Sequence, residues 1–226
     1  MHVTVNAATS VDGKLASKRR EQVRISGPKD FARVDRLRAE SDAVLVGVGT
    51  VLADDPSLTV KDADRIAARE ERGESPQPAR IVADSRARTP PDADVLDDPA
   101  PTYLLVSEAA PADRREALED AGATLLIAGT ECVCFPEALA ALESEGLDRL
   151  MVEGGGEVIF SLFEANLVDR LSVFVGSLVI GGREAPTLAD GEGFPRDFAS
   201  LELEDVTRLD DGVCLSWRVE DRSTTE

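Results

Sequence analysis

Three consecutive glycines behind a single acid, Glu153-Gly154-Gly155-Gly156, stand between the apolar run Leu150-Met151-Val152 and a helical pattern carrying Ile159, Leu162, Phe163 and Leu167. Glycine lets a backbone approach a ligand closely, and a helix start offers unpaired N–H groups and partial positive charge to a phosphate. The spacing is not G-x-G-x-x-G, so an ordinary dinucleotide fingerprint is not indicated. A tight turn without a ligand also uses glycine, but three in succession favour phosphate. A second glycine-rich exit, Gly47-Val48-Gly49-Thr50 with Asp54-Asp55-Pro56 behind it, follows the apolar run 43–48. Open α/β sheets bind ligands at such strand ends, where Thr50 and Asp54 would hydrogen-bond a cofactor. Thr50 capping a short helical turn, with Asp54 or Asp55 capping the next, accounts for the same residues equally well. Ser10-Val11-Asp12-Gly13-Lys14 sets an ammonium beside a turn signal, which a solvated lysine also explains. Ser85-Arg86-x-Arg88 offers a hydroxyl and two cations to an adenosine 2′-phosphate, or is a surface arginine pair.

Other chemistries fall away. His2 is the only histidine, and no His-Glu-x-x-His, G-x-x-x-x-G-K-[ST] or G-x-S-x-G occurs, so a Ser-His-Asp triad is implausible. Cys132-x-Cys134 lies in an apolar stretch without nearby histidine and reads as buried thiols; no metal is expected. With Cys214 the cysteines number three, which is no disulfide framework. Forty-four acids against 25 bases give a net charge of −19, which disfavours nucleic acid and anionic membranes as partners. The acids are scattered and lysine is confined to Lys14, Lys18, Lys29 and Lys61, a surface suited to a salty cytoplasm where screening acts over ~3 Å, or simply that of an acidic protein from an ordinary one. No apolar run approaches the ~20 residues of a membrane span. The N-terminus lacks a secretory pattern, so a cytoplasmic protein is expected.

The positioning elements follow from periodicity. Val3, Val5 and Ala7 alternate with Thr4, Asn6 and Ala8 as a first strand, and Ser26-Gly27-Pro28 opens a helix with Phe31, Val34, Leu37 and Ser41 on one face. The continuous apolar run 43–48 suits a parallel strand buried on both faces, and Ala79-Arg80-Ile81-Val82-Ala83 reads as a second buried strand. Residues 61–78 read as an exposed, partly helical insertion. Strands at 102–106, 124–128 and 150–152 alternate with helices at 112–121, 136–144 and beyond Gly156. Strands at 171–175, 201–208 and 213–219 follow, the last two joined by the hairpin signal Asp210-Asp211-Gly212. The pattern implies an α/β fold with a mixed, mostly parallel sheet, helices on both faces and a C-terminal antiparallel hairpin. One domain over 1–220 with a polar tail at 221–226 is expected.

Several of these blocks together resemble the reductase family of riboflavin biosynthesis. They are Ser10 to Lys14, Leu37-Arg38-Ala39, Asp42 to Gly47, Gly49-Thr50-Val51-Leu52-Ala53-Asp54-Asp55-Pro56-x-Leu58-Thr59-Val60, and Glu153-Gly154-Gly155. The resemblance implies a dihydrofolate-reductase-like fold, usually homodimeric. It also implies hydride transfer from NADPH, with NADH possible, to the ring-opened ribosyl group of a ribosylaminopyrimidine phosphate. Carried over by motif, Ala8, Thr50, Asp54, Ser85, Gly154, Gly155, Gly156, Glu157 and Val158 would hold the cofactor. Lys14, Arg38, Leu58, Lys61 and Glu153 would line the substrate site, Arg38 and Lys61 facing its 5′-phosphate and Lys14 and Glu153 being catalytic. Where relatives often carry an aromatic before the helix at Pro28, this chain has Arg24. Bifunctional relatives add a zinc deaminase with an H-x-E and P-C-x-x-C signature, absent here. A stand-alone reductase acting on 2,5-diamino-6-ribosylamino-4(3H)-pyrimidinone 5′-phosphate, as in archaea, is therefore expected. The rival readings are a pterin reductase of the dihydrofolate reductase type and a non-catalytic nucleotide-binding module.

Overall fold

Apolar runs too continuous for a one-sided strand become the buried centre of a parallel sheet. A computed structural model describes residues 1–97 and 99–220; the expected tail at 221–226 lies outside them. The elements in order are β1 (His2–Ser10), α1 (Pro28–Glu40), β2 (Ala43–Gly47), α2 (Val48–Asp54), α3 (Ala63–Glu71), β3 (Ala79–Ala83), β4 (Thr102–Val106) and α4 (Ala112–Asp120). Then come β5 (Thr124–Ile127), α5 (Phe135–Ser144), β6 (Arg149–Gly154), α6 (Gly156–Glu164), β7 (Arg170–Gly176), β8 (Leu201–Leu209) and β9 (Gly212–Val219). The fold is α/β, mixed and mostly parallel, with the expected C-terminal antiparallel hairpin. Contacts divide the chain into two compact units, one of residue 1 with 35–151, the other of 2–34 with 152 onward. Among the described residues no helix is long and apolar enough to cross a membrane.

In the unit of residues 35–151, β2, β3, β4 and β5 lie side by side in parallel, with Val46 opposite Val82 and Val82 opposite Leu104. Val44, Val46, Val82, Leu104 and Val106 share a core with Val48 and Val51 of α2 and Leu118 of α4. Each such side chain removed from water contributes about 1.5–3 kcal/mol. The insertion expected to be exposed is stapled down by a buried cation. Arg69 of α3 donates Nε to Ser75 O at 2.8 Å, and Nη1 to Ala39 O and Ser41 O at 3.0 and 2.7 Å. The thiols are less buried than their apolar neighbours suggest. Cys132 is exposed and Cys134 half-buried, because Gly129 (φ 83°) folds the chain back and the 132–134 segment caps the turn instead of entering the core.

Glu74 anchors a charged cluster in the same unit, accepting from Arg72 Nη2 at 2.8 Å and Arg149 Nη2 at 2.9 Å; Arg149 also pairs with Asp42. These partners, Arg72 foremost, hold the Glu74 carboxyl at about 2 against an ordinary 4.5. A depressed carboxyl stabilises the fold above its unfolded value, and the contribution is lost as pH falls from 4.5 towards 2. Glu74→Gln is expected to lower Tm at pH 7 and to flatten its decline across that window. Parallel wild-type and variant curves of Tm against pH would refute the assignment.

In the unit of residues 2–34 and 152 onward, β1 pairs in parallel with β7, and β7, β9 and β8 run antiparallel. The α1 start at Pro28 is as expected, but its cap comes from far away. Asp210, in the hairpin turn, accepts from Lys29 N at 3.0 Å and Asp30 N at 3.1 Å. A side chain at Gly27 would collide with that carboxylate. The face of α1 assigned from spacing needs correcting at its first member. Phe31 is 54% exposed, whereas Asp30 is buried, joined to Arg33 at 2.8 Å and to the Ser26 hydroxyl.

Candidate active site

The glycine exit of β2 opens into α2, whose N-cap is Gly47, with no side-chain cap. Thr50 therefore lies inside the helix and is no cap, and Asp55 ends it as a left-handed C-cap (φ 40°). The alternative capping account of Thr50 thus falls. Thr50 is half-buried, and neither its hydroxyl nor the Asp54 carboxylate has a hydrogen-bond or ion-pair partner among the described residues. Partial burial raises the Asp54 carboxyl although the residue stays exposed. Two free polar groups one helical turn apart suit hydrogen bonds to a ligand.

Beyond α2 the chain turns through Leu58 (φ 51°), a left-handed conformation that costs a residue with a Cβ about 1–2 kcal/mol. Its side chain is 2% exposed and belongs to the core. Leu58 thus anchors a segment whose polar members gather outside it. Lys61 Nζ donates to Ser57 Oγ at 2.9 Å and Thr59 Oγ1 at 2.7 Å, and Arg38 Nη1 donates to Thr59 O at 3.0 Å. Gln77 holds Val60 in both directions, at 2.7 and 3.1 Å. Lys61 has no carboxylate in ion-pair range among the described residues, in a chain holding 44 acids. An ammonium answered by hydroxyls alone is poised for an anion.

At the exit of β3, Ser85 Oγ accepts from Val133 N at 3.0 Å, so part of this hydroxyl's capacity serves the neighbouring loop. Asp84 is fully buried, accepting from Thr89 N and Oγ1 at 2.7 and 2.8 Å. Arg88 reaches it at 3.9 Å with its guanidinium largely exposed, while Arg86 turns to Glu131. Of the two cations expected here, Arg88 is the better placed to meet a ligand.

In the unit of residues 2–34 and 152 onward, β6 ends in the glycine turn. Gly155 has φ 88° and ψ 96°, closed to ordinary L residues, and Gly156 begins α6. A Cβ at Gly156 would stand 2.6 Å from Thr187 O and 2.8 Å from Asp190 Oδ2. Gly154, Gly156 and Val158 are buried, Glu157 is exposed and Glu153 half-buried. The first N–H groups of α6 have no partner within the helix. Ala8 lies on β1, opposite Phe174. Lys14 is half-buried; its Nζ donates to Ala185 O at 3.2 Å, and no carboxylate pairs with it among the described residues. Residues 177–200, between β7 and β8, carry no helix or strand and supply Ala185, Thr187 and Asp190 here. Sequence reasoning passed over all three; the glycines around Ala185 were the available signal.

The family model of the RibD C-terminal domain matches residues 1–215. The 2,5-diamino-6-ribosylamino-4(3H)-pyrimidinone 5′-phosphate reductase of Archaeoglobus fulgidus is 44% identical over 217 residues, 96% of this chain and 97% of that one. The protein of the same description from Methanothermobacter thermautotrophicus is 41% identical, over 96% of this chain and 98% of its own. Among solved structures, a pyrimidine reductase-like protein of Corynebacterium diphtheriae superposes with TM-score 0.85 at 20% identity, over 97% of this chain and 92% of that one. Dihydrofolate reductase of Enterococcus faecalis does so with TM-score 0.50 at 14% identity, over 97% of both chains. These two likenesses concern the fold.

Proposed function

This chain belongs to the RibD C-terminal domain family, and we propose that it reduces the ribosyl group of 2,5-diamino-6-ribosylamino-4(3H)-pyrimidinone 5′-phosphate to the ribityl form. The reductant is NADPH, with residues 1–220 as one catalytic domain in a cytoplasmic enzyme. The observation that carries a phosphorylated substrate is Lys61, held by Ser57 and Thr59 beside Arg38 and free of any carboxylate among the described residues. A pterin offers no phosphate to such a cluster, which disfavours the dihydrofolate reductase reading.

The residues present fit a nicotinamide dinucleotide. Gly155 holds a backbone conformation closed to ordinary L residues, Gly156 leaves no room for a side chain, and Thr50 and Asp54 keep unpartnered polar groups. Together with Ala8, Ser85, Glu157 and Val158 they would hold the cofactor, and Arg88 would favour a 2′-phosphate, hence NADPH over NADH. When bound, the reduced nicotinamide supplies the hydride. Lys14 would donate from Nζ to the ring oxygen as it leaves C1′ and takes up a proton to become a hydroxyl, which lowers the cost of negative charge there. That opens the sugar to the imine whose carbon accepts the hydride. Glu153 accepts from the sugar hydroxyls and sets the reacting carbon, with Leu58 supporting the segment that receives the phosphate.

Oxidation of NADPH followed at 340 nm, with the diamino substrate, its deaminated counterpart and dihydrofolate in parallel, tests the reading; about 3 M salt suits so acidic a chain. Turnover with the diamino compound is expected. Turnover of dihydrofolate alone would select the pterin reading, and NADPH binding without oxidation would select the non-catalytic one.

A second copy of the chain is the proposed partner. Leu201, Leu203 and Val206 of the edge strand β8 are 38%, 53% and 56% exposed, and Leu203 and Val206 face Trp217 and Leu215 on β9. An apolar edge strand left in water invites association. Leu203→Glu is expected to halve the mass seen by light scattering; an unchanged mass would remove this surface, and a monomeric wild type would remove the dimer.

A further inference from the structure

Lys14 owes its place to a carboxylate two residues earlier. Asp12 Oδ1 accepts from the Ser10 hydroxyl at 2.6 Å and from Ile180 N at 3.0 Å, while Oδ2 accepts from Gly181 N at 2.7 Å. The Ser10 oxygen in turn accepts from Lys14 N at 3.0 Å, and Ser10 N donates to Lys14 O at 2.9 Å. One carboxylate therefore ties the loop after β1 to a segment that follows it by about 170 residues.

That segment is the seat of the lysine. Val11 N donates to Leu178 O and Leu15 N to Pro186 O, both at 2.9 Å, and Lys14 bridges to Thr187 in antiparallel fashion. The Lys14 ammonium ends on Ala185 O. Beyond it, Asp190 gathers Thr187 N and its hydroxyl, and Asp190 N donates to Gly156 O at 3.0 Å. Residues 178–190 thus run as a strap from Asp12, past Lys14, to the glycine turn at the start of α6. An aspartate in a surface turn needs no such partners. Its bonds to Ser10 and to the Ile180 and Gly181 amides hold its carboxyl down at about 2, so the latch stays charged through the neutral range.

We propose that Asp12 is a positioning residue for the reductase reaction: by latching the 178–190 strap against the β1 exit loop, it aims the Lys14 ammonium at the reacting sugar. The proposal rests on the function assigned above and acts through Lys14, so its effect should vanish where Lys14 is gone. Displacing a catalytic group by about 1 Å costs on the order of 10²-fold in rate. Asp12→Ala is expected to lower kcat by about that factor. Asp12→Asn, which keeps one acceptor oxygen, is expected to fall between the variant and the wild type. In a Lys14→Ala background, adding Asp12→Ala should change kcat less than about twofold, because the two residues act as one unit. Effects that multiply would show Asp12 to be merely structural and overturn the proposal, as would an Asp12→Ala enzyme that keeps wild-type kcat.

Amide hydrogen exchange separates this failure from that of the function. Exchange at Ile180, Gly181 and Lys14 should quicken in Asp12→Ala whatever the substrate proves to be. Unchanged protection there would refute the latch even in an active reductase, while a wild type that fails to oxidise NADPH with the pyrimidine would refute the function alone.

Discussion

Lys14→Ala is expected to lower kcat by about 10²- to 10⁴-fold, the range contributed by a positioned proton donor or polarising group, while leaving Tm within a few degrees. The separation follows from the contacts of the side chain. Its ammonium makes one hydrogen bond, to Ala185 O at 3.2 Å, in a half-buried position, and no carboxylate depends on it. Truncation leaves a carbonyl that water can reach, so the fold loses little. The developing charge on the sugar oxygen, by contrast, loses its only ammonium in that unit's candidate set. Glu153→Gln preserves volume and removes the charge, and is expected to lower kcat and kcat/KM together. Steady-state rates with the diamino substrate, beside thermal melts, check both variants. Full turnover in both would remove the catalytic assignments while leaving the family membership intact.

The second large effect is expected at Gly156. A Cβ there would stand 2.6 Å from Thr187 O and 2.8 Å from Asp190 Oδ2, and the first of these is backbone. Either the glycine turn or the strap must move. Forced overpacking of this kind costs about 1–3 kcal/mol, a loss of some 2–4 °C in Tm for each kcal/mol in a chain of this size. The moving part is also the proposed phosphate seat, so Gly156→Ala should weaken NADPH binding by about tenfold or more, the equivalent of ~1.4 kcal/mol. Titration of protein fluorescence or calorimetry would read it. Affinity within twofold of wild type would mean that the turn is structural and that the cofactor phosphates lie elsewhere.

These variants rest on features of unequal visibility. Alternation in β1, the unbroken apolar run of β2 and the Asp210-Asp211-Gly212 hairpin were legible because strand period and turn chemistry are local properties. The glycine turn stood out for the same reason, whereas Lys14 reads equally as a solvated lysine and is singled out only through the family resemblance. Phe31 did not follow its spacing: Asp30, neutralised by Arg33 and Ser26, takes the buried place that an apolar residue would ordinarily hold. Thr50 looked as much like a cap as a ligand group until α2 began two residues before it. Cys132 and Cys134 depart from the burial that apolar neighbours suggest, because such neighbours predict burial only when the chain does not turn outward.

By itself, then, the sequence determined an α/β order of elements and, through its motifs, membership of a reductase family. Tertiary structure alone decided which groups act in pairs. Asp210 caps α1 and Asp12 latches Ile180 and Gly181, each across more than 160 residues. Arg69 is buried against the carbonyls of Ala39, Ser41 and Ser75. Lys14 gains its direction from Ala185. Periodicity and turn propensity are set by neighbours along the chain, whereas a hydrogen bond is set by distance in space, and only folding brings a donor to an acceptor that the chain places far away.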